Sequence, residues 1–200
     1  MLAFDEASHT YTWDGKPVPG VTSILKPLVS FDRIPADVLE KARQEGQAIH
    51  KMVELDCAGT LDVAALPEWM LPVYGAWGEF KDASGFSPIL SESKGYHRTL
   101  GYAGTLDLVC EMPRLKGWPG ASLIDVKRSL YAGPVIGYQL AAYKAIVEAD
   151  KAMPKIARCA ALRLDAKGKF LLQPYGSPSD FSKFLGCLTF LRARQECGLT

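Results

Sequence analysis

Asp107, Asp125 and Lys127 combine side-chain type and spacing in a way that allows chemistry. Asp107 belongs to the alternating run Gly104-Thr-Leu-Asp-Leu-Val-Cys-Glu111, and the other two to Ala121-Ser-Leu-Ile-Asp-Val-Lys127. Both runs have the period of two that a half-buried strand requires. Between them, residues 113–120 hold two prolines and two glycines and read as a hairpin connection. A hairpin centred near Lys116 sets 107 opposite 125. Directly opposed residues have Cβ atoms about 4.5–5.5 Å apart, close enough for two carboxylates to share one divalent cation. Lys127 points to the same face as Asp125, and Ile124 and Val126 to the other. In the first strand Leu106, Leu108 and Cys110 are expected on one face, with Thr105, Asp107 and Val109 on the other. A one-residue slip would undo the arrangement. The plain alternative makes both aspartates solvated strand residues or partners of surface lysines.

The elements that must hold these residues follow from pattern. Phe4 to Val21 alternates aromatic and polar residues around Asp14-Gly15, as a hairpin does. Thr22 or Ser23 can cap a short segment from Ile24 to Leu28. Pro35 suits a helix start, and the helix to about Cys57 carries Val38, Leu39, Ala42, Ile49, Met52 and Val53 as its apolar face. Gly46 interrupts it, which suggests a close backbone contact. A second helical region, Pro67 to Lys81, is expected to bury Trp69, Met70, Val73, Trp77 and Phe80, with Pro72 kinking or dividing it. Ser87 to Glu92 reads as a strand, followed by a polar and aromatic stretch through Gly101. A helix from about Pro134 to Ala149 places Gln139 and Tyr143, four apart, on one face. Arg158–Leu164 and Lys169–Leu172 form a hairpin around Asp165–Gly168. Ser177 and Pro178 introduce a last helix with Phe181, Phe184, Leu185, Leu188 and Leu191 on its buried side. Helices before and after a set of strands favour an α/β or α+β sheet domain.

Size and composition set the limits. The 200 residues suffice for one core, and 48% apolar with 10% aromatic residues describes a folded chain. A formal net charge of +1 does not announce nucleic acid. The five cysteines are widely spaced without a CxxC pair, so reduced thiols are expected and a structural zinc or iron–sulfur site fits poorly. No apolar stretch approaches a membrane span and no secretory signal is visible, which leads to a cytoplasmic expectation.

In chain order, Glu92, Gly104-Thr-Leu-Asp107, Ile124-Asp-Val-Lys127 and Gln139-Leu-Ala-Ala-Tyr143 resemble the PD-(D/E)XK nuclease superfamily, and within it the RecB-like and phage-type exonuclease branch. Gly46-Gln-Ala-Ile-His50 resembles that branch's helical histidine motif. The likeness covers roughly residues 40–172. It implies an α/β restriction-endonuclease-like core: a central mixed β-sheet flanked by helices, plus the N-terminal hairpin. The whole chain, 1–200, would be one nuclease domain, with 1–34 as hairpin and short helix, 35–172 as core and 173–200 as the C-terminal helix. It also implies roles. Asp107 and Asp125 would be the principal ligands of one or two Mg²⁺ or Mn²⁺ ions, with Glu92, His50 and the Val126 backbone carbonyl as further ligands. Lys127 would place or help deprotonate the attacking water and offset charge on the pentacovalent phosphate. Glu92, Asp107, Asp125 and Lys127 form the expected catalytic set. Gln139 and Tyr143 would contact the DNA backbone or brace the site, and Lys94, Arg98 and Arg128 would contact DNA.

The implied activity is metal-dependent hydrolysis of phosphodiester bonds by an exonuclease in DNA end processing, recombination or repair. The implied substrate is DNA, single-stranded or with a free end, with a recombination or single-strand-annealing protein as a possible partner. The alternatives are a structure-specific endonuclease and a catalytically silent DNA-binding or assembly subunit. Two opposed carboxylates beside phosphate gain nothing in a pure binding surface unless a cation bridges them. The sequence lacks a GxxxxGK[ST] loop, so no ATP motor is evident.

Overall fold

Local pattern dictates most of the elements. The computed structural model describes residues 1–6, 8–32, 34–128 and 133–199. In chain order its elements are β1 (Leu2–Asp5), β2 (Thr10–Trp13), β3 (Lys16–Val18), α1 (Val21–Leu25), α2 (Ala36–Cys57) and α3 (Leu71–Ser84). They continue with β4 (Ser87–His97), β5 (Tyr102–Glu111), β6 (Ala121–Lys127), α4 (Val135–Glu148), β7 (Arg158–Leu164), β8 (Phe170–Tyr175) and α5 (Asp180–Glu196).

Strands β4 to β8 form a five-stranded mixed sheet in sequence order, in which only β6 and β7 run parallel. The connection between those two is α4, as a parallel pair requires. One face of the sheet packs Leu108, Cys110, Ile124 and Val126 against α2 and α3. The other packs Val109, Leu123 and Ala161 against α1, α4 and α5. Asp56 ties α2 to α3 by accepting from Trp77 Nε1 at 2.7 Å and from Lys81 Nζ at 2.6 Å.

The N-terminal strands form a separate antiparallel sheet. The expected turn is present: Asp14 and Gly15 both have positive φ, 49° and 76°, which suits a two-residue turn between β2 and β3. The third strand, β1, was not foreseen. This small sheet docks on β4 and β5 through Trp13 stacked on Tyr96 (centroids 4.4 Å apart) and a 2.8 Å hydrogen bond between the Tyr11 and Thr105 hydroxyls.

Several expectations give way. Helix α1 begins at Val21, with Gly20 rather than Thr22 or Ser23 at its N-cap. Val38 and Ala42 are exposed and Leu39 is half-buried, because only the second half of α2 reaches the sheet. A Cβ at Gly46 would meet nothing within 4 Å, so the suggested close contact is absent. Trp69 is 39% exposed, since the chain makes a 3₁₀ turn over Glu68–Met70 and α3 starts only at Leu71, with Pro72 in its first turn. Strand β4 continues through Lys94 to His97, and β8 to Tyr175. Ser179, not Ser177, precedes α5. The five cysteines are free, as expected, and among the described residues no helix is long and apolar enough to cross a membrane.

Candidate metal centre

The hairpin register places the acidic residues as the arithmetic requires. Leu108 pairs with Ile124 and Val109 with Leu123, so the same register carried one step further sets Asp107 opposite Asp125. The ladder ends at Leu108, and Asp107 substitutes its side chain for the next rung: Oδ2 accepts from the Val126 N–H at 2.7 Å. On the other side of β5, Glu92 falls between the pairs Ser91–Leu108 and Ser93–Leu106, opposite Asp107. Its φ of 45° is uncommon for a residue with a side chain, and such strain clusters at functional positions. The strand alternation breaks here too. Leu106 packs with the α4-side cluster, whereas Leu108 and Cys110 pack with α2 and α3, so the three do not share one face.

His50, on the half of α2 that packs against the sheet, completes the group. Its Nδ1 lies 3.3 Å from Glu92 Oε1 and 3.4 Å from Asp107 Oδ1, while Nε2 donates to the Val126 carbonyl at 3.0 Å. One ligand atom from each of His50, Glu92 and Asp107 lies within 4.8 Å of the others. One nitrogen and two carboxylate oxygens suit a divalent cation that tolerates imidazole. Fixing one ring N–H on a backbone carbonyl is how ligating histidines are commonly oriented. The Val126 carbonyl takes that hydrogen bond. With Nδ1 facing two carboxylates and Nε2 donating, the ring is an imidazolium in this state. Burial opposes its charge, but Asp107 and Glu92 outweigh burial and raise His50 to about 10. Burial likewise works against the Asp107 carboxylate, yet His50, Lys127 and the Val126 N–H hold it below its ordinary value.

Asp125 is buried beside this group and has its own partners. Its Oδ1 accepts from Gln139 Nε2 at 2.9 Å and its Oδ2 lies 3.0 Å from Lys127 Nζ. Burial raises its carboxyl to about 6, with Lys127 pulling down and Asp107 pushing up. Burial disfavours the Lys127 ammonium, but Asp125 and Asp107 keep its pKa above the ordinary value, so it is a cation.

Helix α4 is seated by two glycines. Gly95 and Gly104 are cross-strand partners on β4 and β5. A Cβ on Gly104 would lie 2.5 Å from Tyr143 Cε1, and one on Gly95 would collide with Ile146. The close approach brings the Tyr143 hydroxyl to 3.5 Å from Gln139 Nε2, as their spacing predicted. Burial, then the charges of Asp107 and Asp125, raise the Tyr143 phenol well above its usual value, so it stays a neutral hydroxyl.

His50, Glu92, Asp107, Lys127, Gln139 and Tyr143 line a groove of about 1350 Å³ that also takes in Phe4, Tyr11, Arg163 and Lys167, while Asp125 is buried and does not line it. Lys94 lines it, with its ammonium 5.2 Å from the Phe4 ring. Arg98 is not among the lining residues; it lies over Trp13 at 5.3 Å. Strand β6 ends at Lys127, which turns Arg128 into the groove, where it pairs with Glu45 and lies 5.6 Å from the Trp69 ring. Sequence reasoning missed Arg163. Its signal was available in the alternation of β7, but nothing in the sequence says that β7 lies beside β6.

No family model matches this chain, and no curated protein matches it. The chain is thus a small α/β domain with a clustered His/Glu/Asp group suited to a divalent metal.

Proposed function

We propose that this chain is a metal-dependent deoxyribonuclease of PD-(D/E)XK type, an exonuclease acting on DNA ends, and that residues 1–200 form one nuclease domain with a restriction-endonuclease-like core. The observation that carries the reading is the meeting of the His50–Glu92–Asp107 group with Lys127 in one groove, with Lys127 paired to Asp125 buried beneath it. These five residues come from four separate motifs of the resemblance, and chain positions as distant as 50 and 127 converge.

In this reading His50, Glu92 and Asp107 hold a Mg²⁺ or Mn²⁺ ion, with Asp125 beside them. The ion supplies Lewis-acid stabilisation of the phosphoryl oxygens and a more nucleophilic water. Lys127, kept charged by its carboxylate neighbours, orients the attacking water and offsets negative charge as it develops on the phosphate. Gln139 holds Asp125 in place through its 2.9 Å hydrogen bond, and Val126 orients His50 through its carbonyl. Tyr143, neutral and at the groove, donates to the substrate backbone. Arg128 is suited to exchange Glu45 for a phosphate.

The test incubates end-labelled single- and double-stranded DNA with Mg²⁺ or Mn²⁺, using the wild-type chain and Lys127→Ala. The wild type should cut in a metal-dependent manner, and Lys127→Ala should retain metal-dependent DNA binding with most cleavage lost. Unchanged turnover in Lys127→Ala would remove the mechanistic role given to the lysine, and no metal-dependent cutting of any substrate would overturn the enzyme reading.

A further inference from the structure

Arg163 stands next to Lys127 on the neighbouring parallel strand. The register pairs Lys127 with Arg163, Val126 with Leu162 and Asp125 with Ala161. Val126 and Leu162 both point into the cluster beneath α2 and α3. Lys127 and Arg163 therefore leave the sheet together on the opposite face, at the carboxyl ends of a parallel pair, and both line the groove.

The fold accounts for the guanidinium only in part, through the charge of nearby Asp165. Its Nε is buried and has no hydrogen-bond partner, and no ion pair among the described residues involves it. Asp165, two residues on, has Oδ1 engaged by the Lys167 and Lys169 N–H groups of the β7–β8 turn. An unmet buried donor on a charged group is destabilising, and a ligand that supplies the acceptor relieves it. The groove's other side chains indicate which ligand. The same groove holds carboxylates suited to a cation, while Lys127 lies alongside Arg163, so an anion placed between these two meets two positive side chains. The planar fork of arginine matches the paired oxygens of a phosphate.

We propose that Arg163 binds a backbone phosphate of the nucleic-acid strand held against Lys127, through a bidentate contact in which the guanidinium turns so that its closed-off Nε–H meets a phosphate oxygen. This rests on the nuclease reading and adds to it a substrate-binding residue on a strand outside the recognised motifs. The phosphate contact fixes the strand's register relative to the metal-ligand group and carries no base preference.

The test measures binding of unpaired oligonucleotides by the full chain with Ca²⁺ in place of Mg²⁺, comparing wild type, Arg163→Gln and Arg163→Lys. A series of oligonucleotides carries one neutral methylphosphonate linkage, moved stepwise along the strand. Arg163→Gln should weaken binding roughly tenfold and lower the slope of log affinity against log salt by about 0.7, the value for one phosphate on a single strand. It should also be indifferent to one neutral linkage that weakens the wild type. Arg163→Lys, which keeps the charge, should fold normally and bind several-fold more weakly because the fork is lost. Wild-type affinity in Arg163→Lys, or wild-type sensitivity to every neutral linkage in Arg163→Gln, overturns the assignment. If the wild type cuts DNA and the Arg163 variants match it, only this inference falls. If the wild type neither binds nor cuts, the nuclease reading fails first.

Discussion

Proton release on metal binding follows from the position of His50. In the folded chain Nδ1 faces Glu92 and Asp107 at 3.3 and 3.4 Å, and the imidazole is raised to about 10. A divalent ion needs the Nδ1 lone pair, so it must displace that proton. At pH 7 the displacement spans about three pH units, roughly 4 kcal/mol at about 1.4 kcal/mol per unit, or about a thousandfold in apparent affinity. Affinity should accordingly rise about tenfold per pH unit between pH 6.5 and 8.5, with one proton released per ion. Below about pH 6 the Asp125 carboxyl, raised to about that value, adds a second proton. Calorimetric titration with Mn²⁺ in two buffers of different ionisation enthalpy measures both quantities. His50→Gln removes the titrating group and should bind with little pH dependence from pH 6.5 to 8.5. A pH-independent wild-type affinity without proton release, or an unchanged slope in His50→Gln, would refute the argument that His50 is a ligand held protonated by the carboxylates.

The same raised value affects stability without added metal. His50 contributes stability that is fully present below pH 6.5 and lost as pH rises through about 10, so denaturation midpoints should fall across that window and stay flatter in His50→Gln. Asp107→Asn should leave the chain folded but abolish metal activation, measured by thermal melting and by cleavage over a Mn²⁺ series. Gly104→Ala puts a methyl group 2.5 Å from the Tyr143 ring and should destabilise by about 1–3 kcal/mol, lowering Tm by roughly 2–12 °C. An unshifted Tm would mean that α4 is not seated on the Gly95–Gly104 pair. Tyr143→Phe should change Tm little while weakening DNA binding; equal affinity would remove the hydroxyl from the substrate contact.

Much of the site was legible because it depends on short-range periodicity. The register of β5 and β6 follows from two alternating runs and a Pro/Gly connection, and strands paired through a local hairpin have little freedom once one face is buried. Gln139 and Tyr143 meet because helical geometry brings residues four apart together. The Asp-Gly turn of the N-terminal sheet is equally local. Sequence pattern could not say which half of α2 would reach the sheet, so Val38 and Ala42 read as core and are exposed. It could not place Trp69, whose apolar character suggested burial but which meets Arg128 at the surface.

Tertiary packing decided what strand alternation does not encode. The left-handed backbone of Glu92 and the break in facing between Leu106 and Leu108 flank the carboxylates around His50, and ideal alternation predicts neither. His50 reaches Glu92 across 42 residues of chain only because α2 packs beneath β4 to β6. Arg163 joins Lys127 only because the crossover through α4 lays β7 alongside β6. The sequence by itself determined which side chains each strand could present together, since that depends on a period of two. The tertiary structure decided which strands and helices present them to one another, since that depends on the burial of two separate apolar faces.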